Sequence, residues 1–510
     1  MPKIVNHLEI PKHFFRFKRN VYLDNNATTS VCPTVQRKMN RVLKYNYGNP
    51  SSLYSVARKS AQIMAYARHL VADAINAEPE EIFFTGCATE SNNAVLKSVY
   101  NTLYPARKKI ITTPVEHPSI LNTLQFLETK GVLVNFCPID KYGRVIISEL
   151  EKLVDDNTML ICCMLANNEI GTIQDVTTVA SIADKYGILV LSDCVQAFGK
   201  IPINVKELGV HYASFSAHKL YGPKGVGVLY IKNNAHLLPI LHGGHQENGM
   251  RAGTESTHNI AGFGAACQKV ESHLRKSEKI QKLKEFFIKA IKEIRPDCII
   301  NSPNDYCLPN TISISFPGIK NTELIAMLDH YGISVSAGSA CSSQEDKPSH
   351  VLQAIGLTSQ TARETIRLSL SSFTSKKDIR YVIRIFNAIF NGKIPQVNLI
   401  LPAQLTESVL FDRNTFILDV RPDLLRKKDK GLPNSHEIPF VFNKKYLHKI
   451  PKDKRIIVVC QGGYFSYITA HYLRSVGYTD IYSLSNGIIG WKAQHIDLYK
   501  KYAGYNVTVL

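Results

Sequence analysis

The sequence is poor in several features that would narrow its chemistry at once. It has one tryptophan in 510 residues, and only 42 acidic side chains against 61 lysines and arginines. No apolar run reaches the roughly 18 residues that a membrane-spanning helix needs. The 11 cysteines include no CxxC pair, which argues against a zinc site, and their irregular spacing argues against a disulfide framework. Cys162 and Cys163 sit in the apolar run MLICCML, where cysteine behaves as a small hydrophobe. Free thiols of this kind point to a reducing cytoplasm. The first twenty residues, MPKIVNHLEIPKHFFRFKRN, lack an apolar core and a small-residue cleavage site, so they read as an extension and not a secretory signal. Glu9 and two prolines count against an organelle presequence.

What is present describes a globular chain. Hydrophobic residues make up 45% and charged residues 20%. A chain of 510 residues is too long for one ordinary core, so two or three domains are expected. The net charge is +19, but the lysines are scattered through segments such as RKSEKIQKLKEFFIKAIKEI and LLRKKDK. They form no patch interleaved with aromatics, which leaves a nucleic-acid contact open without supporting it.

Strand-like and helix-like segments alternate from about residue 60 to 230. EEIFF, KKIITT, NTMLICCML and GILVLSD read as strands, with helical stretches such as SAQIMAYARHLVADAI and VASIADKY between them. That order predicts βαβ units and a mainly parallel sheet. A long helix is expected over much of 259–293, then a strand at NTISISF. Ser375 and Asp378 form a capping box before a helix whose apolar face is Ile379, Val382, Ile383, Phe386, Ile389 and Phe390. The periodicity ends in NGKIPQVNLILPAQLTESV, which predicts a linker at about 393–410. A second α/β unit follows, with strands at TFILDV, KRIIVVC and DIYSL and a helix at YITAHYLRSVG.

The chemistry concentrates at strand ends. SFSAHKLYGPKGVG places Ser216, His218 and Lys219 before a glycine-rich turn. Hydroxyl and imidazole suit a phosphate, and a lysine there can form a Schiff base once its pKa is lowered. Asp193 ends the apolar strand of GILVLSDCVQ, where ligand sites in such sheets lie, and a carboxylate there can keep a pyridine nitrogen protonated. Gln196 follows three residues on. Ala88 and Thr89, in GCATESNN, begin a helix whose free N–H groups favour a phosphate. His117 lies just past a strand in VEHPSI. Each of these alone has a plainer reading: an N-cap, a strand-end aspartate, a structural histidine. Cys341 occupies the small, polar run SVSAGSACSSQED, which has no apolar bulk to bury a sulfur.

Residues 20–392 resemble a pyridoxal-phosphate-dependent cysteine desulfurase of the class V aminotransferase superfamily. YLDNNATT, YGNPSS, GCATESNN, VEHPSI, NNEIGTIQD, SDCVQAFGKIPI, SFSAHKLYGPKGVGVLY, HGGHQENGMRAGT, SAGSACSS and IRLSLSSFT occur in the family order. The resemblance implies a fold type I transferase, a large mainly parallel sheet domain (about 21–260) with a small α+β domain built from the N-terminal segment and about 261–392. It implies that Lys219 is the Schiff-base lysine, Asp193 the partner of the pyridinium nitrogen, Gln196 the partner of the ring hydroxyl, and His117 the histidine stacked on the ring. Thr89, Ser216 and His218 become phosphate ligands, with Ala88 beside them. Thr254 would reach the phosphate of the other subunit, which implies a homodimer. Asn168 and Arg367 would hold the substrate carboxylate, a task that suits an arginine fork. Cys341 matches the nucleophile that takes sulfur from L-cysteine, leaving L-alanine. Tyr54, His245 and Asn248 depart from the family pattern in substrate- and partner-facing loops. A selenocysteine lyase or related amino-acid lyase is the alternative on the same fold.

Residues 411–500 resemble a rhodanese-like sulfurtransferase domain through FILDVRP, SHEIPF, IIVVCQGGYFS and AHYLRSVGYTDIYSLSNGIIGWK. Cys460 ends a strand, and the short loop before the next helix can form an anion nest. Phe465 stands where such loops often carry an arginine, and SNGI replaces a Gly-Gly. Two readings stay open: Cys460 receives sulfur from Cys341, or the domain only docks acceptor proteins for iron–sulfur cluster assembly, tRNA thiolation or cofactor thiolation.

Overall fold

The computed structural model describes residues 19–239, 241–338, 348–392, 397–428, 431–438, 444–502 and 508–509. Cys341 and most of the N-terminal extension lie outside the described residues. Strand β1 (Val21–Tyr22) leads into a seven-stranded sheet built from β2 (Ile82–Thr85), β3 (Lys109–Thr112), β4 (Leu133–Phe136), β5 (Thr158–Cys162), β6 (Leu189–Asp193), β7 (Tyr212–Ser216) and β8 (Gly227–Ile231). Their order is β2-β8-β7-β6-β5-β3-β4. Strands β4, β3, β5, β6 and β7 run parallel, and β8 is antiparallel to both β7 and β2. The central strands β5, β7 and β8 are buried along their whole length, as a sheet covered by helices on both faces requires.

A second body holds β9 (Ile299–Ile300), β10 (Thr311–Ser315), β11 (Ile333–Ser334) and β12 (Thr365–Ser369). Strand β10 pairs antiparallel with β12 and β9, while β1 pairs parallel with β11, so the N-terminal strand belongs to this body. Helix Lys376–Phe390 covers it. Ser375 and Asp378 form the expected capping box, with Ser375 Oγ accepting from the Asp378 amide and the Asp378 carboxylate accepting from the Ser375 amide. Such a cap stabilises a helix start by about 1 kcal/mol.

The single helix expected over 259–293 is three: Thr257–Cys267, Val270–Leu274 and Ser277–Ile294. Lys269 and Lys276 take ψ near zero at the joints (φ −100, ψ −4 and φ −94, ψ −4), which turns each following helix. The turn brings His273 against Tyr221, ring centroids 4.5 Å apart, and within 2.9 Å of Ser372 Oγ. The first of these helices is buried on nearly all sides and the last along one stripe, and neither joint carries a proline or glycine that would mark it in the sequence.

The C-terminal unit is a six-stranded parallel sheet of β13 (Asn398–Ile400), β14 (Thr415–Asp419), β15 (Ser435–Glu437), β16 (Arg455–Val459), β17 (Ile481–Leu484) and β18 (Thr508–Val509), ordered β13-β17-β16-β14-β15-β18. Strand β13 falls inside the stretch expected to be linker. Three residues flanked by prolines are too short to show a period. Helix Tyr464–Ser475 packs on helix Asn321–His330 of the second body. Lys320 Nζ donates to Ser485 Oγ at 2.9 Å, and the rings of His330 and His471 lie 4.2 Å apart. One buried apolar cluster runs from Phe287, Phe316 and Phe386 through to Tyr467, Ala470 and Leu473, so the two units share a core. Among the described residues no helix is long and apolar enough to cross a membrane.

Candidate active site and the Cys460 loop

The strand C-termini of the seven-stranded sheet converge. Strand β2 ends before Ala88 and Thr89, β3 before His117, β5 before Asn168, β6 at Asp193, and β7 at Ser216, with His218 and Lys219 in the short helix Ala217–Lys219 that follows. This is the crevice where parallel α/β sheets bind ligands.

Asp193 is buried. Its Oδ2 accepts from Asn92 Nδ2 at 3.0 Å and its Oδ1 from the Val195 amide at 3.0 Å. Asn92 also donates to Ser119 Oγ, at 2.9 Å, and Ser119 Oγ in turn lies 2.8 Å from His117 Nδ1. His117 Nδ1 accepts from the Ser119 amide at 3.1 Å and so caps the helix Pro118–Glu128. An Nδ1 that accepts leaves the proton on Nε2, the neutral tautomer. Burial lowers the His117 pKa in the same sense, helped by Lys219 and His350 and opposed by Asp193.

Lys219 Nζ donates to Asn26 O at 2.6 Å and Ala27 O at 2.7 Å. Gln196 Nε2 reaches the same Asn26 carbonyl at 2.9 Å. The Asn26 side chain donates to Asn168 O at 3.1 Å and Thr311 Oγ1 at 2.9 Å, and accepts from Asn310 and Lys200 at 3.0 Å each. Asn26 therefore ties the sheet crevice to the second body, although its run of small polar residues did not single it out in sequence. Lys200 was also missed. Its ammonium is buried beside Lys219 and Arg367, and burial holds its pKa well below the ordinary lysine value. Nothing in GKIPI marks that lysine as different from a surface one.

Arg367 is 1% exposed. Its NH2 donates to Asp24 Oδ1 at 2.7 Å and its NH1 to Asn168 O at 3.0 Å, while Nε has no hydrogen-bond partner among the described residues. The geometry thus brings Asn168 and Arg367 together. His218 Nδ1 lies 3.1 Å from Thr28 Oγ1, and burial, with Lys219 and Lys224, pushes its pKa down to about 4. Thr254 is exposed.

The residues fit pyridoxal phosphate. Cys87, the N-cap of helix Ala88–Leu103, makes no side-chain cap, so the first N–H groups of that helix have no side-chain acceptor there. A Cβ on Gly227 would lie 2.7 Å from the Cys87 carbonyl carbon, so the backbone packs closely behind that turn. An open groove between helices Ala88–Leu103 and Pro118–Glu128, lined by Thr89, Asn93, Lys97, His117, Ser119 and Phe126, runs past that helix start; Lys219 and Asp193 do not line it. Amine, buried carboxylate, imidazole and helix start match the four chemistries the cofactor presents: aldehyde, ring nitrogen, ring face and phosphate.

In the C-terminal unit, Cys460 follows β16 and is 2% exposed. The Gly463 amide donates to Cys460 Sγ at 3.2 Å, and Ser466 Oγ lies 3.4 Å away. Gly463 and Gly487 have positive φ (96 and 59), and a Cβ on Gly487 would stand 2.5 Å from Cys460 O, so glycine is required where the two loops pass. Arg421 is buried and forks onto Asp419, with NH2 to Oδ2 at 2.8 Å, and its NH1 donates to Gln461 Oε1 at 3.3 Å. Phe465 is exposed.

Residues 21–382 match the aminotransferase class-V family, and residues 402–494 match the rhodanese-like domain family. The chain is 42% identical over 373 residues to the cysteine desulfurase IscS of Dictyoglomus turgidum, covering 73% of this chain and 95% of the relative. It is 38% identical over 367 residues to the cysteine desulfurase NifS of Azotobacter vinelandii, covering 72% and 91%. Among solved structures, a NifS-like protein aligns with a TM-score of 0.69 at 40% identity, over 73% of this chain and 100% of that one. A structure described as SspA in complex with cysteine aligns with a TM-score of 0.62 at 34% identity, over 70% and 100%.

Proposed function

Because the chain belongs to the class-V aminotransferase family and carries a rhodanese-like domain after it, we propose that it is a pyridoxal-phosphate-dependent cysteine desulfurase that turns L-cysteine into L-alanine and passes the sulfur on through its own C-terminal unit. The convergence of Lys219, Asp193, His117, Ser216 and His218 on one crevice carries this reading. Residues 21–392 form the desulfurase unit and 411–500 the rhodanese-like unit, to which strand β13 adds one edge.

Bound in the crevice, pyridoxal phosphate supplies an electron sink for bond changes at the substrate's Cα and Cβ. Asp193 keeps the ring nitrogen protonated, held for that task by Asn92. Gln196 bonds the ring hydroxyl. His117, kept neutral by burial, would stack on the ring. Thr89 with Ala88, Ser216 and His218 hold the phosphate, and Thr254 of each subunit of a homodimer completes the other's site. Arg367 and Asn168 orient the substrate carboxylate. Lys219 would hold the cofactor through its amine, and the same amine would move the proton at the substrate's Cα. Cys341 then attacks the substrate sulfur: an S–S bond forms, the Cβ–S bond breaks, and protonation releases alanine.

The second step is a redox-neutral exchange. The Cys460 thiolate takes the terminal sulfur of the Cys341 persulfide, and the Cys341 thiolate leaves. The Gly463 amide supports the thiolate. Acceptor proteins for iron–sulfur assembly or thiolation then collect the sulfur in the cytoplasm. The burial of Cys460 favours a second reading, in which the unit only docks such acceptors. Deleting 393–510 would then abolish acceptor pull-down, and Cys460→Ser would leave delivery intact.

Alanine release from L-cysteine against alanine release from L-selenocysteine tests the substrate. Turnover of L-cysteine is expected, and turnover of the selenium substrate alone would remove the desulfurase reading.

A further inference from the structure

Helix Ser277–Ile294 buries Ile280, Leu283, Phe287 and Ile291 in the second body, and a lysine stands on that same buried face. Lys284 is 4% exposed. Its ammonium donates to Cys307 Sγ at 3.1 Å and to Leu308 O at 3.1 Å, and no carboxylate pairs with it among the described residues. A cation buried without a counter-charge is costly to keep, and a packing role would be served by an apolar side chain. Of its two partners only the thiol can take a negative charge.

Cys307 is itself fixed. Its Sγ donates weakly to Ile170 O at 3.7 Å, and a Cβ on Gly171 would stand 2.9 Å from that sulfur. The Leu308 amide donates to Gly171 O at 2.7 Å, and the Ile173 amide donates to Tyr306 O at 2.7 Å. The loop before β10 is thus laced to the turn that follows Asn168. Solvent is close: Cys307 is only part-buried, and Asn304, Asp305 and Tyr306 before it are exposed. Burial raises the Cys307 pKa, and the charge and hydrogen bond of Lys284 oppose that rise. The thiolate fraction is therefore small, and an oxidant reacts with it slowly.

We propose that Lys284 and Cys307 form an oxidation site: under sustained exposure to a peroxide they close a reversible covalent link between Nζ and Sγ, which pins helix Ser277–Ile294 to the loop behind the Asn168 turn. First the Cys307 thiolate attacks one oxygen of hydrogen peroxide. The S–O bond forms, the O–O bond breaks, and hydroxide leaves and is protonated to water. Sulfur loses two electrons and the peroxide gains them, leaving a sulfenic acid. That step removes the negative charge beside Lys284, and burial then favours the neutral amine. The amine attacks the sulfur: the S–N bond forms, the S–O bond breaks, and the hydroxide leaves as water with a proton from the amine. Thiol, amine and one peroxide thus give one S–N link and two waters. A reducing thiol attacks the linked sulfur, frees the amine, and a second thiol restores Cys307. The link does not depend on the desulfurase reading.

Full-length holoenzyme treated with hydrogen peroxide and digested without reductant tests it by mass spectrometry. The wild type should give the Lys284 and Cys307 peptides joined, at their summed mass less two hydrogen atoms, and dithiothreitol should part them. Lys284→Arg keeps the charge and the donors, but a guanidinium stays protonated and does not attack sulfur. The link should be lost in that variant, and dimedone, which traps sulfenic acids, should label Cys307 instead. Lys284→Met, which suits the apolar face, should do the same. Cys307→Ser should lose both the link and the label. Separate peptides in the peroxide-treated wild type would overturn the proposal. A dimedone label on wild-type Cys307 as strong as that in Lys284→Arg would overturn it as well.

Discussion

Lys219 Nζ and the carbonyl of Asn26, 193 residues apart in sequence, are 2.6 Å apart in the folded chain. The Asn26 side chain joins the same knot through Asn168, Thr311, Asn310 and Lys200. Asn26→Ala leaves buried donors without acceptors, which costs about 1–3 kcal/mol. It should lower the thermal midpoint of the holoenzyme and cut kcat more than tenfold by loosening Asn168, an effect roughly in line with small misplacements of reacting groups. Thermal unfolding and alanine release measure the two effects separately.

Asn26 also shows how much of the site could be read before the fold. Lys219, Asp193, His117 and Thr89 stand at strand ends beside glycines and small residues, where local pattern marks them as candidates; their roles come from the resemblance and not from the pattern. Asn26 and Lys200 take their meaning from contacts more than a hundred residues away, and local pattern is silent on those. The same holds for the fold. The parallel sheet follows from alternation of strand-like and helix-like segments, whereas the joints at Lys269 and Lys276 carry no proline or glycine and leave no mark. Strand β13 becomes a strand only because β17 offers it an edge.

The buried pair in the C-terminal unit makes a stability prediction. Asp419 and Arg421 are both buried, and Arg421→Met strands the carboxylate. Removing one partner of such a pair costs about 3–5 kcal/mol. Unfolding of the C-terminal unit, followed by Trp491 fluorescence, should shift to lower denaturant, while alanine release from L-cysteine stays at the wild-type rate.

The seam between the units should respond to pH. Burial lowers the pKa of both His330 and His471, the latter to about 4, with His330 and Arg474 acting in the same direction. Both ring nitrogens of His471 lack partners among the described residues. The docked state binds fewer protons than the released one, whose imidazoles titrate near about 6.5. The contribution of the seam is therefore complete above that pH and declines as pH falls toward 4, by up to ~1.4 kcal/mol per pH unit for each imidazole. Amide exchange across Tyr464–Ser475, corrected for its intrinsic rate, should quicken between about pH 7.5 and 5.5. His471→Phe should flatten that dependence.

Phe465 makes a prediction about the sulfur donor. The exposed ring beside the Cys460 loop offers no charge to thiosulfate. Sulfur transfer from thiosulfate to cyanide should be weak in the wild type, and Phe465→Arg should raise it about tenfold or more by adding a charge-assisted bond. An unchanged rate would mean that access to Cys460, and not charge, limits that reaction.

In the proposed relay, sulfur from L-cysteine reaches Cys341 and then Cys460. Mass spectrometry of the purified chain after L-cysteine, on the wild type and on Cys341→Ser, follows both transfers at once. Persulfide is expected on both cysteines in the wild type and on neither in the variant. Persulfide on Cys460 in the Cys341→Ser chain would contradict it.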